Sequence, residues 1–272
     1  LLSEELTAEL GQQFVVENKP GAAGTVATTA LKEAAPDGYT FMLSNLTPFN
    51  VAPVRFPDTP YDPITDFTHV AYIGAVYLGI FVSPELGVST LGELIAKAKA
   101  EPGTLDYGTS GVGSWGQVVS AQFKALTGVE MEHIPYKGSG PMRRDFRGGV
   151  IPMTFDALPQ NLPMIAEGKA IPLAISAADR IPTSADIPTF MEQGLAIGAE
   201  NWLGISAPAG LDPAIAARMD GALAKALATD KVKDQFATWG VSRKSMTGSE
   251  FQAFVAAQAE AWRPLVQAAI AK

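Results

Sequence analysis

The stretch Leu105–Leu126, LDYGTSGVGSWGQVVSAQFKAL, constrains this chain more than any other, because a β-rich segment runs into a glycine–serine loop that opens onto an amphipathic helix. The first amides of a helix lack intrahelical partners and the macrodipole is positive there. Such a junction can therefore hold an anion with peptide N–H groups alone. Thr109, Ser110 and Ser114 add hydroxyls, and Gly108, Gly111 and Gly113 let a ligand approach the main chain. The same residue types build turns and helix caps, so the loop by itself leaves both uses open.

The unit recurs along the chain. Gln13–Glu17 (QFVVE) predicts a strand, NKPG a break and Thr25–Ala34 a helix; Tyr39–Leu43 predicts a strand that ends on Ser44, Asn45 and Thr47. His69–Val82 is β-rich around Gly74 and Gly79, and Ser89–Ala100 is an amphipathic helix with Ser89 as its N-cap. Strands over Val129–Pro135, Ile151–Asp156 and Ile171–Ser176 alternate with helices over Met142–Phe146 and Asn161–Glu167. This alternation predicts an α/β protein with a mostly parallel sheet and polar ligand loops at the strand C-termini, where Asp156 and Tyr136 also fall.

After the strand Trp202–Ser206 the texture changes to three helical stretches, Ala214–Ala228, Lys231–Trp239 and Ser249–Ala271, which read as a helical cap. GIFVSPE (Gly79–Glu85) and GISAPAG (Gly204–Gly210) resemble one another and read as paired linkers around an inserted lobe. A chain of 272 residues fits two such lobes, residues 1–84 with 201–272 and residues 85–200.

Several function classes are disfavoured. A net charge of −8 without a basic run argues against nucleic acid. The chain has no cysteine, and its two histidines, His69 and His133, lack metal-ligand spacing, so no metal site is expected. The longest uncharged stretch, Val70–Ser83, is too short to span a membrane as a helix, and Leu1–Leu10 carries acids and no basic region, unlike a signal peptide. Neither Ser110 nor Ser114 stands in G-x-S-x-G, which removes the usual hydrolase elbow. Gly111-x-Gly113-x-x-Gly116 does match a dinucleotide fingerprint, with Glu132 as a ribose acid, so an NAD-dependent dehydrogenase is the alternative.

The order of VVENKPGAAG, APDGYTFML, PYDPITDF, PGTLDYGTSGVGS, HIPYKGSGP, RGGVIPMTFDALP, AISAADRIPTSADIPTFMEQGL and NWLGISAPAGLDP resembles the Bug family, the extracytoplasmic solute receptors of tripartite tricarboxylate transporters. The resemblance covers essentially the whole chain. It implies a periplasmic binding protein of the two-lobed type 2 fold, with two crossover strands and a C-terminal helical cap on the first lobe. It also implies a cleft closing on a small mono- or dicarboxylate, with no catalysis and no cofactor, delivery to membrane transporter subunits, and a monomer. A sensory module on the same fold is the further alternative. Carried over from the family's loops, the ligand-binding residues are Ser44, Asn45, Thr109, Ser110, Gly113, Ser114, Trp115, Tyr136 and Asp156. Family members begin with a strand and a proline–glycine–glycine loop, and this sequence starts after both. Trp115 stands where smaller residues are common in the family, which suggests an aromatic acid stacked on the indole.

Overall fold

The computed structural model describes residues 1–244 and 246–270. In chain order the elements are α1 (Leu2–Leu10), α2 (Thr25–Lys32), β1 (Met42–Asn45), α3 (Ala52–Arg55), β2 (Phe67–Val82), α4 (Leu91–Ala100), β3 (Asp106–Thr109), α5 (Trp115–Thr127) and β4 (Glu132–Pro135). They continue with α6 (Ser139–Arg147), β5 (Met153–Ala157), α7 (Leu158–Ala166), β6 (Ile171–Ile175), β7 (Glu200–Pro208), α8 (Pro213–Ala228), α9 (Asp230–Thr238) and α10 (Gly248–Ile270). No described helix is long and apolar enough to cross a membrane.

The chain forms two compact units. The first takes Leu1–Ala75, Trp202–Thr238 and Ser242–Gln267, and the second is built mainly from Val76–Asn201. The first division falls inside β2.

In the first unit β1 runs antiparallel to β7, with Ser44 opposite Gly204, and β7 lies between β1 and β2. An aromatic core fills it: the Phe49, Phe67, Trp202 and Phe251 rings surround His69 at centroid distances of 5.1 to 6.4 Å. Polar atoms in this core are paired, since Trp202 Nε1 donates to Asn50 Oδ1 at 2.8 Å and Asn50 Nδ2 donates to Val255 O at 3.1 Å. Gly204 has to be glycine, because a Cβ there would run into the Phe251 ring and sit 2.8 Å from Ala71 O. Helices α8, α9 and most of α10 belong to this unit.

In the second unit β3 pairs parallel with β4 and with β5, whereas the C-terminal half of β2 pairs antiparallel with both β5 and β6. Its core includes Phe81, Met142, Phe146, Leu158 and Met164. Thr90, not Ser89, caps α4: its hydroxyl accepts from Glu93 N while the Glu93 carboxylate accepts from Thr90 N, a reciprocal box that the T-x-x-E spacing allows.

Two expectations change. The sheet is mixed, because β1, β2, β5, β6 and β7 meet in antiparallel pairs. Gln13–Glu17 is not a strand; Val15 and Val16 are 81% and 69% exposed, and the extended segment has no ladder partner among the described residues. Alternating β-formers give a strand only where a neighbouring backbone can accept their hydrogen bonds.

Candidate functional site

The parallel strands β3, β4 and β5 of the second unit bring three loops together at their C-terminal ends, the usual ligand edge of an α/β sheet. The first is Gly108–Ser114. Ser114 is the N-cap of α5, its hydroxyl accepting from Gln117 N at 3.3 Å, and its own N–H donates to Gly111 O at 3.2 Å. Gly111 and Gly113 have φ of 134° and 75°, conformations that favour glycine. Gly113 N–H is taken by Gln117 Oε1 at 2.6 Å. No hydrogen bond among the described residues uses the N–H groups of Val112, Trp115 or Gly116, nor the Ser110 hydroxyl. Such amides at a helix start call for an acceptor, and an anion supplies one.

The second loop follows β4 and is stitched to the first. Tyr136 N–H donates to Thr109 O at 3.1 Å and Gly138 N–H to Ser110 O at 3.0 Å. A Cβ on Gly111 would lie 2.7 Å from Tyr136 O, so the two loops pack backbone to backbone. The Tyr136 hydroxyl is committed, donating to Asp145 Oδ2 at 2.9 Å; burial first, and the Asp145 carboxylate second, push its pKa up to about 12.

The third is the direct junction of β5 with α7, where Asp156, next to last in the strand, is only 5% exposed. Its Oδ1 accepts from the Ser139 hydroxyl at 3.2 Å and its Oδ2 from Asn161 Nδ2 at 3.0 Å, while Arg143 Nε stands off at 3.9 Å. Burial raises its pKa above the usual carboxylate range, against the lowering by these donors and by the Ala157 N–H. Asp156 thus ties the starts of α6 and α7 to β5. Arg143 also donates to Ser139 O and Gln160 O, at 3.3 and 3.4 Å, so its guanidinium is partly spent on the fold.

Trp115 is 7% exposed and its Nε1 is buried without a partner, so little of the indole is offered for stacking. The fingerprint glycines have packing reasons: a Cβ on Gly116 would sit 2.6 Å from Phe155 O, where α5 meets β5. Helix–strand contact explains that position.

In the first unit Ser44 and Asn45 end β1. Asn45 Oδ1 accepts from Thr47 N at 3.1 Å and shapes the following turn. Ser44 is fully buried, 2.8 Å from Ser206 Oγ, which is 2.8 Å from His69 Nδ1; His69 Nε2 faces Pro63 O at 2.9 Å. Burial lowers the His69 pKa to about 4, so the ring is neutral at pH 7 and donates once. Nε2 donates to the carbonyl and Nδ1 is the acceptor that faces the Ser206 hydroxyl, which is also in hydrogen-bond contact with Ser44. The Ser44 side chain therefore serves a buried relay.

Beside this strand end lies a loop missed by sequence reasoning. Gly21, Ala22, Ala23 and Gly24 have consecutive φ of 132°, 43°, 55° and 90° just before α2, and a Cβ on Gly24 would be 3.1 Å from Pro48 Cβ. Two alanines in the left-handed region carry strain of the kind that collects at ligand loops. The glycines flanking Ala22-Ala23 were the available signal. Ser139 and Asn161 had none, because their partner Asp156 is reached only through the fold.

A family model for the tripartite tricarboxylate transporter family receptor (TctC) matches residues 1–270. Protein BugT of Bordetella pertussis is 33% identical over 274 residues, covering 100% of this chain and 84% of that protein. A solved structure of a periplasmic transporter is 33% identical with a TM-score of 0.92, over 98% of this chain and 89% of the other. The R. palustris protein Rpa4515 with adipate is 31% identical with a TM-score of 0.92, over 98% of this chain and 90% of the other.

Proposed function

Since the chain belongs to the tripartite tricarboxylate transporter receptor family, we propose that it captures a small organic acid in the periplasm and hands it to membrane transporter subunits. The family is one of solute-binding receptors, not of enzymes, and the fold is that of periplasmic binding proteins. The observation that carries the reading is the set of unpartnered N–H groups at the start of α5, with the free Ser110 hydroxyl beside them. These donors suit a carboxylate and leave it chemically unchanged.

The carboxylate is held by Ser110 and by the amides of Val112, Trp115 and Gly116. Thr109, Gly113, Ser114, Tyr136 and Asp156 shape the surrounding loops. The strained Gly21–Gly24 loop and Asn45 form a second set of ligand contacts in the first unit. The ligand is a dicarboxylate, a reading supported by the adipate held by Rpa4515. Binding is one to one, to a monomer.

Thermal-shift and calorimetric titration against adipate, shorter dicarboxylates, nicotinate and NAD tests this reading. The expected result is a rise in melting temperature with a dicarboxylate at 1:1 stoichiometry. A response to NAD without any response to carboxylates overturns it.

A further inference from the structure

We propose that His133 is a positioning residue of the Gly108–Ser114 loop, acting through the Thr109 hydroxyl; the role in solute capture rests on the reading of that loop as the carboxylate site. His133 lies on β4, and its ring stacks on Tyr107 at 5.2 Å with 21° between the planes. Its Nε2 is 2.7 Å from Oγ1 of Thr109, which is fully buried. That same Oγ1 accepts from Gly111 N–H at 3.3 Å and lies 3.3 Å from Gly111 O. Gly111 O in turn accepts from Ser114 N–H at 3.2 Å, closing the turn that makes Ser114 the N-cap of α5.

The bonds inside the loop are long and the one from His133 is short. The imidazole therefore decides where the Thr109 oxygen sits, and through Gly111 how the free amides of the loop are aimed. A hydroxyl has one proton. With Nε2 bare, Thr109 donates to it and offers a lone pair to Gly111 N–H. With Nε2 protonated, the ring donates and the Thr109 proton turns toward Gly111 O. The Gly111 peptide consequently senses the state of the ring. The charged and titratable groups around the ring are Lys124 of α5, which lies over Tyr107 at 5.7 Å, and the Tyr107 phenol of β3; Asp106 of β3 and Glu132 of β4, opposite one another one residue earlier, leave from the other face of the sheet. Burial first and Lys124 second lower the His133 pKa, favouring the neutral ring.

The test has a ligand-free arm and a ligand arm. In the ligand-free protein, the Gly111 amide resonance, followed by nitrogen–proton correlation spectra, is expected to titrate with the midpoint of the His133 ring protons. The response disappears in His133→Gln and also in Thr109→Val, which keeps the ring and removes the oxygen. With adipate as probe, His133→Phe is expected to bind about tenfold more weakly, while His133→Gln, which still offers donor and acceptor atoms, stays within about threefold of the parent. A Gly111 amide indifferent to His133 ionisation, or one that still titrates in Thr109→Val, overturns the proposal even if the Phe variant misfolds. Equal affinities of the Phe and Gln variants also overturn it. A Gly111 response intact in a protein that binds no carboxylate retains the positioning link and defeats the solute-receptor reading of the loop.

Discussion

His69 makes the stability of the first unit depend on pH over a range in which most proteins change little. The ordinary imidazole value of 6.5 is lowered to about 4 by burial among Phe49, Phe67, Trp202 and Phe251. Below pH 6.5 the unfolded chain takes up a proton that the native ring refuses until about pH 4. Stability contributed by the neutral ring is thus present at pH 7, declines as the pH falls, and is fully lost below about pH 4. A shift of that size corresponds to about 3 kcal/mol in total, of which about 2 kcal/mol is lost between pH 7 and pH 5. In a chain of this length that is a fall of roughly 4–8 °C in melting temperature. The assay is calorimetric or fluorescence melting at both pH values for the parent and for His69→Gln. The variant is less stable throughout, since it disturbs the aromatic packing and the relay to Ser206 and Ser44. Its loss between pH 7 and pH 5 is expected to be smaller than the parent's by about 2 kcal/mol. Equal pH dependence in the two proteins would refute the reasoning. His133, whose pKa is also lowered, contributes in the same direction to both proteins and cancels in the comparison.

Gly204→Ala forces a methyl group against Phe251 and Ala71 O, and denaturant unfolding is expected to show a loss of about 1–3 kcal/mol. Thr90→Ala removes the cap of α4 and should cost about 1 kcal/mol in the same assay. Ser110→Ala deletes a hydroxyl with no internal partner; adipate titration should report a threefold to tenfold weaker affinity, on the order of 1 kcal/mol, with an unchanged melting temperature. Asp156→Leu strands the Ser139 hydroxyl and Asn161 amide that it now receives, and should lower stability by about 1–3 kcal/mol without ligand.

The amino-acid sequence alone determined what depends on neighbours along the chain. Strand, glycine–serine loop and helix over Asp106–Thr127 follow from β-formers, left-handed glycines and a serine cap within 22 residues, and the structure has Ser114 in that capping position. The α/β class and the family resemblance are legible for the same reason, and the family model bears the resemblance out. Tertiary structure decided whatever needs a partner from elsewhere. Gln13–Glu17 carries strand residues yet lacks a neighbouring ladder, and Ser44 ends a strand as expected yet turns its hydroxyl to Ser206, 162 residues away. Asp156 is held by Ser139 and Asn161, from two different helices, and Thr109 by His133 from the adjoining strand. A buried polar atom is satisfied by whichever group the fold brings within 3 Å or so, and no local pattern records that choice.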